Sequence, residues 1–345
     1  MLGGVFTPGT PVEDPASRVD EHFKWLLDFV GTPDKPGSME AVLAKMTQIY
    51  QSFSQVAASP NAAQALLGQA ASNSGSSLSA QLDTLGKAMP GPVQSMVKTV
   101  TQSSSSVTTS GAKQQIQDAW ASKVLPLCQA ALTNRYPLVQ MSPVDVPMDD
   151  FVKLMGPAGL IAQFFDDYLK PFVDTAQKPW KWNGADNNQL GLSANTLTQL
   201  QLAAEIRAAL FPSGGAGVAL KFEVAPVMLD NGIGQVVLDA DGQELTYAHG
   251  PVQPMRMQWP GTAGRNQVRL TFSPVSGPAA TVTKDGPWAL FRLLDTGKAS
   301  AVQTDRVTYA FTGPGGTASF LFTAGSVVNA FTLPALHQFR CPATL

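Results

Sequence analysis

The apolar positions of this chain change period once, near residue 211, and that change predicts its architecture. Before it, apolar residues recur every three or four positions. Phe23, Leu26, Leu27 and Val30, with Val19 ahead of them, follow an acidic, proline-containing start and mark a first helix. Val42, Leu43, Met46, Ile49, Tyr50, Phe53 and Val56 make the stripe of a second, with Ser38 as its cap and Pro60 past its end. Leu66, Leu67, Leu78, Leu82 and Leu85 predict weaker helices, interrupted by SNSGSS at 72–77. Four serines at 103–106, with threonines beside them, predict a flexible connector over 101–111.

Ile116, Ala119, Trp120 and Val124 then share one helical face, and Pro126 predicts a kink or break. A helix near Pro147–Asp149 places Asp149 and Asp150 at the positive end of its dipole. GPAG at 156–159 interrupts it, and Leu160 to Val173 carries Phe164, Phe165, Tyr168, Leu169 and Phe172. Ser193 caps a last helix reaching Leu210. Beyond the FPSGGAG connector the period falls to two. Strands are predicted at 218–224, 233–239, 244–248, 252–259, 266–272, 279–283, 287–294, 305–311 and 317–323, and 16 of the 30 glycines lie in the last 135 residues. Asp230-Asn231-Gly232, Asp241-Gly242 and Asp285-Gly286 read as turns, because these residues accept positive φ cheaply. The fold class is therefore α+β in separate regions: an all-helical domain over 1–210, then an all-β, sandwich-like domain over 212–345.

Composition narrows the function. Only 14% of the 345 residues are charged and the net charge is −2, which argues against a nucleic-acid partner. Three histidines and two cysteines leave little material for a zinc site or an iron–sulfur cluster, and no cofactor is expected. MLGGVFTPGT has no signal-peptide pattern and no apolar run reaches membrane-spanning length, so the chain is expected not to cross a membrane itself. It reads either as a complete protein or as a piece of a larger one. TGK at 296–298 lacks the upstream glycine of a phosphate loop, Arg292 standing there, and GK at 86–87 has Gln81 in that place. HExxH, CxxC and GxSxG are absent from the sequence.

His22, His249 and His337 read as surface, turn and terminal residues rather than as bases. Asp149–Asp150 and Asp166–Asp167 are adjacent pairs. Helical neighbours point about 100° apart, so neither pair makes the facing dyad of a glycosidase, and no catalytic residue is assigned. Trp180 and Trp182 suit the cover of an α/β junction or a shelf for a sugar or a protein; Trp259 and Trp288 suit the β core. Cys128 and Cys341 are two buried thiols in a reducing compartment, or the one possible intramolecular disulfide in an oxidising one.

A family resemblance then emerges from words in a fixed order: RYPL at 135–138, DFVKLMGPAGLIAQFFDDYLKPFV at 150–173, WKW at 180–182, LDADGQELTYAHGP at 238–251, QWPG at 258–261, GPWALFRLLD at 286–295 and FRCP at 339–342. The chain resembles the periplasmic C-terminal region of the IcmF-like (TssM) inner-membrane components of bacterial type VI secretion systems. Gly156, Pro157 and Gly159, the Phe164–Phe165 pair, Trp180 and Trp182, Asp241, Gly242, Tyr247, His249 and Gly250, Trp259-Pro260-Gly261, and Trp288, Leu290, Phe291 and Arg292 occupy the family's motif positions. Leu138 stands where the family usually has Phe, and Asn329-Ala330-Phe331 lacks the family's proline. The family's membrane helices and nucleotide-binding region have no counterpart here.

The resemblance implies a non-enzymatic structural part of an envelope-spanning complex, without cofactor, in the periplasm of a Gram-negative bacterium. Its implied partners are an outer-membrane lipoprotein, an inner-membrane subunit and other copies of itself, and it favours a Cys128–Cys341 disulfide. Docking is expected on the turns of the β region, at Asp230, Asn231 and Gly232, at Asp241, Gly242, His249 and Gly250, and over 313–316. The alternatives are a periplasmic glycan-active enzyme, or a secreted adhesin or glycan-binding module.

Overall fold

The structure, a computed structural model, describes residues 15–72, 78–183, 190–212, 214–326 and 328–345, with only the backbone described for 15–22 and 72. The side chains of Val19 and His22, and the interruption at 73–77, lie outside that description. Packing divides the chain into two compact units, residues 1–115 and 116–345. The change from helices to strands at 210–212 therefore does not coincide with the packing division, which falls inside a helix.

The first unit holds α1 (Pro15–Val30), the two-residue strands β1 (Gly31–Thr32) and β2 (Lys35–Pro36), α2 (Met39–Ala58), α3 (Ala62–Ser72), α4 (Leu78–Lys87) and most of α5 (Gly91–Ala119). Val42 and Ile49 of α2 meet Leu82 and Val97, with Phe29, Met46, Phe53 and Leu78 packed against them. The approach is close because Gly86 has no Cβ; an added one would lie 2.5 Å from Val97 Cγ1. The predicted stripe of α2 is wider than this contact, so Leu43 and Tyr50 remain exposed. Ser38 stands at the N-cap position but makes no side-chain capping bond. Its backbone is helical (φ −75°, ψ −9°) rather than extended, which turns the hydroxyl away from the orphan amides.

The expected connector at 101–111 is helical, forming the middle of α5. Its hydroxyls do not compete with the helix but bond back into it. Ser104 donates to Thr101 O, Thr108 to Ser104 O, Thr109 to Ser105 O and Ser110 to Ser106 O, at 2.7–3.0 Å. Thr101, Ser104 and Thr108 share the buried face, where Ser104 also bonds Ser79 Oγ. Replacing the exposed Ser105 and Ser106 by alanine is expected to stabilise α5 by about 0.3–0.5 kcal/mol per site, seen as higher helicity and a higher midpoint in circular dichroism. A connector without helix would show no gain.

The second unit begins on the Ile116, Ala119, Trp120 and Val124 face, all buried. The break predicted at Pro126 takes the form of one π-helical turn, Trp120–Val124, in which Leu125 N bonds Trp120 O; α6 (Leu125–Leu132) follows. Then come α7 (Met148–Met155), with Asp149 and Asp150 in its first turn, and α8 (Leu160–Phe164), continuing through a second π turn at Phe165–Leu169. The two-residue strands β3 (Val173–Asp174) and β4 (Lys181–Trp182) precede α9 (Ala194–Leu210), whose cap Ser193 accepts from Asn195 N.

The β region is two antiparallel sheets. Its strands are β5 (Leu220–Leu229), β6 (Ile233–Ala240), β7 (Gln243–Tyr247), β8 (Met255–Trp259), β9 (Gln267–Pro274), β10 (Ala280–Asp285), β11 (Lys298–Ser300), β12 (Arg306–Gly313) and β13 (Gly316–Ala324). One sheet runs β10-β9-β6-β7 and the other β11-β12-β13-β5-β8. Alternate residues are buried, among them Phe222, Val224, Phe320 and Phe322 in the larger sheet and Val236, Leu238, Leu270 and Phe272 in the smaller. Burial also pushes the Tyr309 phenol up to about 12, and its hydroxyl donates to Phe331 O at 2.8 Å.

One predicted strand is a helix. Residues 287–294 hold α10 (Ala289–Leu294), with Ala289, Leu290, Phe291, Leu293 and Leu294 all buried. A short run that is apolar on every side carries no period that separates strand from helix. The three-residue edge strand β11 was not foreseen.

Candidate interaction surface

Two of the motifs meet where the helical part of the second unit joins the sandwich. Arg292, the one charged residue within α10, donates from Nε to Asp145 Oδ1 at 2.8 Å and from Nη2 to Ser142 O at 3.0 Å, and Nη2 also pairs with Asp145 Oδ1. Its guanidinium lies 4.1 Å from the Tyr136 ring centre. Tyr136 donates its hydroxyl proton to Asp295 Oδ2 at 2.8 Å. Burial first, and the neighbouring Asp295 carboxylate second, hold that phenol above its ordinary pKa. Trp288 donates Nε1–H to Val146 O at 2.9 Å and packs among Phe151, Trp259 and Phe291. RYPL and GPWALFRLLD are thus the two halves of one clamp. Asp145 belongs to neither word, and only the isolated arginine in an apolar run signalled that a partner was needed.

Cys128 and Cys341 are joined in a disulfide, with Cα atoms 6.0 Å apart. The C-terminal segment lies along the helices around it. Trp120 Nε1 donates to Pro342 O at 2.8 Å, Gln117 Nε2 to Leu345 O at 3.4 Å, and Arg340 N to Gln199 Oε1 at 2.6 Å; His337 Nδ1 is 2.8 Å from Pro137 O.

The candidate docking turns separate into two groups at opposite ends of β6. At its start, Val275 N donates to Gly232 O at 2.9 Å, His249 Nε2 lies 2.7 Å from Ile233 O, and Thr317 N donates to Asp230 Oδ2 at 2.8 Å. A Cβ on Gly232 would collide with the Gly315 carbonyl, so the 230–232 and 313–316 turns lie directly against each other. Asn231, Gly232, His249 and Gly250 are exposed, and so are Val227, Met228 and Val275 around them. The sequence reading did not single out these three apolar residues. Val227 is the unmatched residue of a register shift between β5 and β13, which turns it outward beside Met228.

At the other end, Asp241 and Gly242 form the two-residue β6–β7 turn, at φ +55° and +86°. Asp241 is buried rather than presented. Its carboxylate accepts from Gly264 N at 3.2 Å and Asn266 N at 2.9 Å, so its task is to hold the 261–266 loop. Beside this turn Gln243 bonds both the N–H and the C=O of Gln258, sealing part of the free edge of β8. A cleft of about 540 Å³ opens next to it, lined by Lys221, Glu223, Gln243, Arg256, Gln258 and Thr323.

The carboxylate pairs and the tryptophans weighed from the sequence engage neighbours on their own or adjacent elements. Asp150 lies 3.8 Å from Lys153, and Asp166 pairs with Lys170 at 2.9 Å on its own helical turn. Trp180 packs on Phe165, and its amide is held by Gln201 Oε1 at 2.9 Å. Among the described residues there is no group of three His, Cys, Asp or Glu side chains that could hold a metal, and no helix long and apolar enough to cross a membrane.

The fold defines the class: a helical region feeding an antiparallel β-sandwich, clamped at their junction. Residues 111–216 match the model of the type VI secretion protein IcmF helical domain, and residues 222–326 that of the IcmF C2-like domain. The chain belongs to the IcmF family, of which it carries these two domains. The type VI secretion system component TssM1 of Pseudomonas aeruginosa is 33% identical over 340 residues, 97% of this chain; the chain spans only 31% of that relative. A structure of a type VI secretion system membrane core complex matches with a TM-score of 0.73 at 20% identity, covering 94% of this chain and 70% of that one. The structure of the TssM C-terminal domain from EAEC matches with a TM-score of 0.59 at 22% identity, covering 68% of this chain and 98% of that one.

Proposed function

We propose that this chain is a non-catalytic, periplasmic part of a type VI secretion membrane complex, linking the inner membrane to an outer-membrane lipoprotein through protein contacts. The wider role is supported by the 33% identity, along nearly the whole chain, with a component of that system. An inner-membrane subunit and further copies of the chain are the other partners this role requires. The two domains at 1–210 and 212–345 divide the work, a helical spacer carrying a recognition head. The docking surface is the end of the sandwich where Val227, Met228 and Val275 stand exposed around the Gly232 and Gly315 turns. The observation that carries this choice is that the apolar residues gather there, whereas the Asp241–Gly242 end is engaged in holding its own loop. The two glycines let these turns pack against each other, and burying the exposed apolar side chains beside them would remove apolar surface from water.

Titration of the whole chain with the cognate lipoprotein, its acyl chains removed, tests this in a calorimeter. Saturable one-to-one binding is expected. Val227→Asp with Val275→Asp should weaken it by about tenfold or more, roughly 1.4 kcal/mol, while Arg265→Glu at the opposite end leaves it unchanged. Absence of binding, or loss through Arg265→Glu alone, would reject the proposal.

A further inference from the structure

The last residues, from Pro334, are unlike the rest of the second unit in how they are held. They pair with no strand, and their one helix, α11 (Pro334–Gln338), is five residues long. What fixes them is a set of side chains on the helices beneath, binding mostly main-chain groups: Trp120 to Pro342 O, Gln117 to Leu345 O and Gln199 to Arg340 N. Leu336, Phe339 and Leu345 of this segment are themselves buried. These contacts must offset the entropy of ordering residues 334–345, and the hydrogen bonds have only modest net value because water offers the same partners. The disulfide alters that balance. It keeps Cys341 beside Cys128, so the unseated segment loses much of the conformational freedom that would otherwise favour it.

We infer that residues 334–345 form a strap closed by oxidation: with both thiols reduced it leaves the helical face over 117–132, and joining Cys128 to Cys341 seats it. Closing proceeds by thiol–disulfide exchange with a disulfide oxidant, a thiol oxidoreductase or oxidised glutathione. The Cys341 thiolate attacks the oxidant, forming a mixed disulfide and releasing one thiol. The Cys128 thiolate then attacks the Cys341 sulfur and releases the second. Two protons and two electrons leave the protein, and the oxidant is reduced to two thiols. Entry is from Cys341, which is half-buried, because Cys128 is fully buried.

The device has a consequence for assembly, since the helical face stays open until the chain meets an oxidising compartment. Hydrogen exchange on the whole chain, with and without a phosphine reductant, reads the strap directly. Reduction should lower amide protection in 117–132 and 334–345 by on the order of tenfold or more, with β5–β13 unchanged. Cys341→Ser without reductant should reproduce that pattern, and oxidised glutathione should restore protection in the reduced wild type. Unchanged protection in both segments on reduction would overturn the inference, as would loss spread equally through the sandwich, which marks a staple of the whole unit. If Cys341→Ser fails to fold, the reductant comparison on the wild type still decides.

Discussion

Asp145→Ala is expected to destabilise the second unit by about 3–5 kcal/mol, the usual cost of removing one partner from a buried ion pair. The clamp explains why the loss is large. Arg292 keeps 18% of its side-chain surface and Asp145 only 13%, so water compensates either charge only in part when the other goes. Without the carboxylate, the guanidinium retains Ser142 O and the Tyr136 ring, two weaker partners for a full charge. The Trp288 amide also loses its contact with Asp145 Oδ2, at 3.4 Å. Urea denaturation should therefore give a markedly lower midpoint with the slope preserved.

The double variant Asp145→Ala with Arg292→Met sharpens the test. It removes both charges and keeps an apolar stem in place of the arginine, so it should lose less stability than Asp145→Ala alone. A double variant that sums the two single losses would show that packing at 292, rather than an unpaired charge, sets the cost.

How much of this could be read from the chain follows from the kind of signal each element leaves. The α2 stripe and the β6–β7 turn were legible because periodicity and turn chemistry are local. Val42, Ile49 and Val56 are seven apart and buried, and Asp241–Gly242 occupy positive φ as a two-residue hairpin demands. The serine run misled because propensity treats its hydroxyls as competitors of the helix. Along α5 they are absorbed by carbonyls three or four residues back, and three hydroxyl residues of that helix are buried. Residues 287–294 misled because burial on all sides erases the period. The docking turns were named as one set, yet the pairing of Val236 with Tyr247 returns His249 to the start of β6 and leaves Asp241 at its far end. Such a division is a property of register, and no local pattern carries it. Asp145 was invisible for the same reason: its partner lies 147 residues away.

Trp288→Ala is the second large effect, at about 3–5 kcal/mol, because it empties one of the junction's two tryptophans from a site with no solvent exposure. Phe151, Trp259 and Phe291 contact the indole at ring-centre distances of 4.9, 5.4 and 5.7 Å, and all three lose dispersion partners at once. Trp288→Phe separates two causes. It keeps most of the packing but leaves Val146 O without its donor, so it should cost about 1–3 kcal/mol. Thermal and urea unfolding of the three proteins measure the difference. Phe costing nearly as much as Ala would place the energy in the hydrogen bond, whereas a nearly silent Phe would place it wholly in ring packing. The junction lies away from the exposed valines at the 230–232 turns, so Trp288→Phe should bind the lipoprotein with unchanged affinity while melting earlier. A folded Trp288→Phe that no longer binds would mean that the sandwich depends on the helices for its recognition surface and not only for its support.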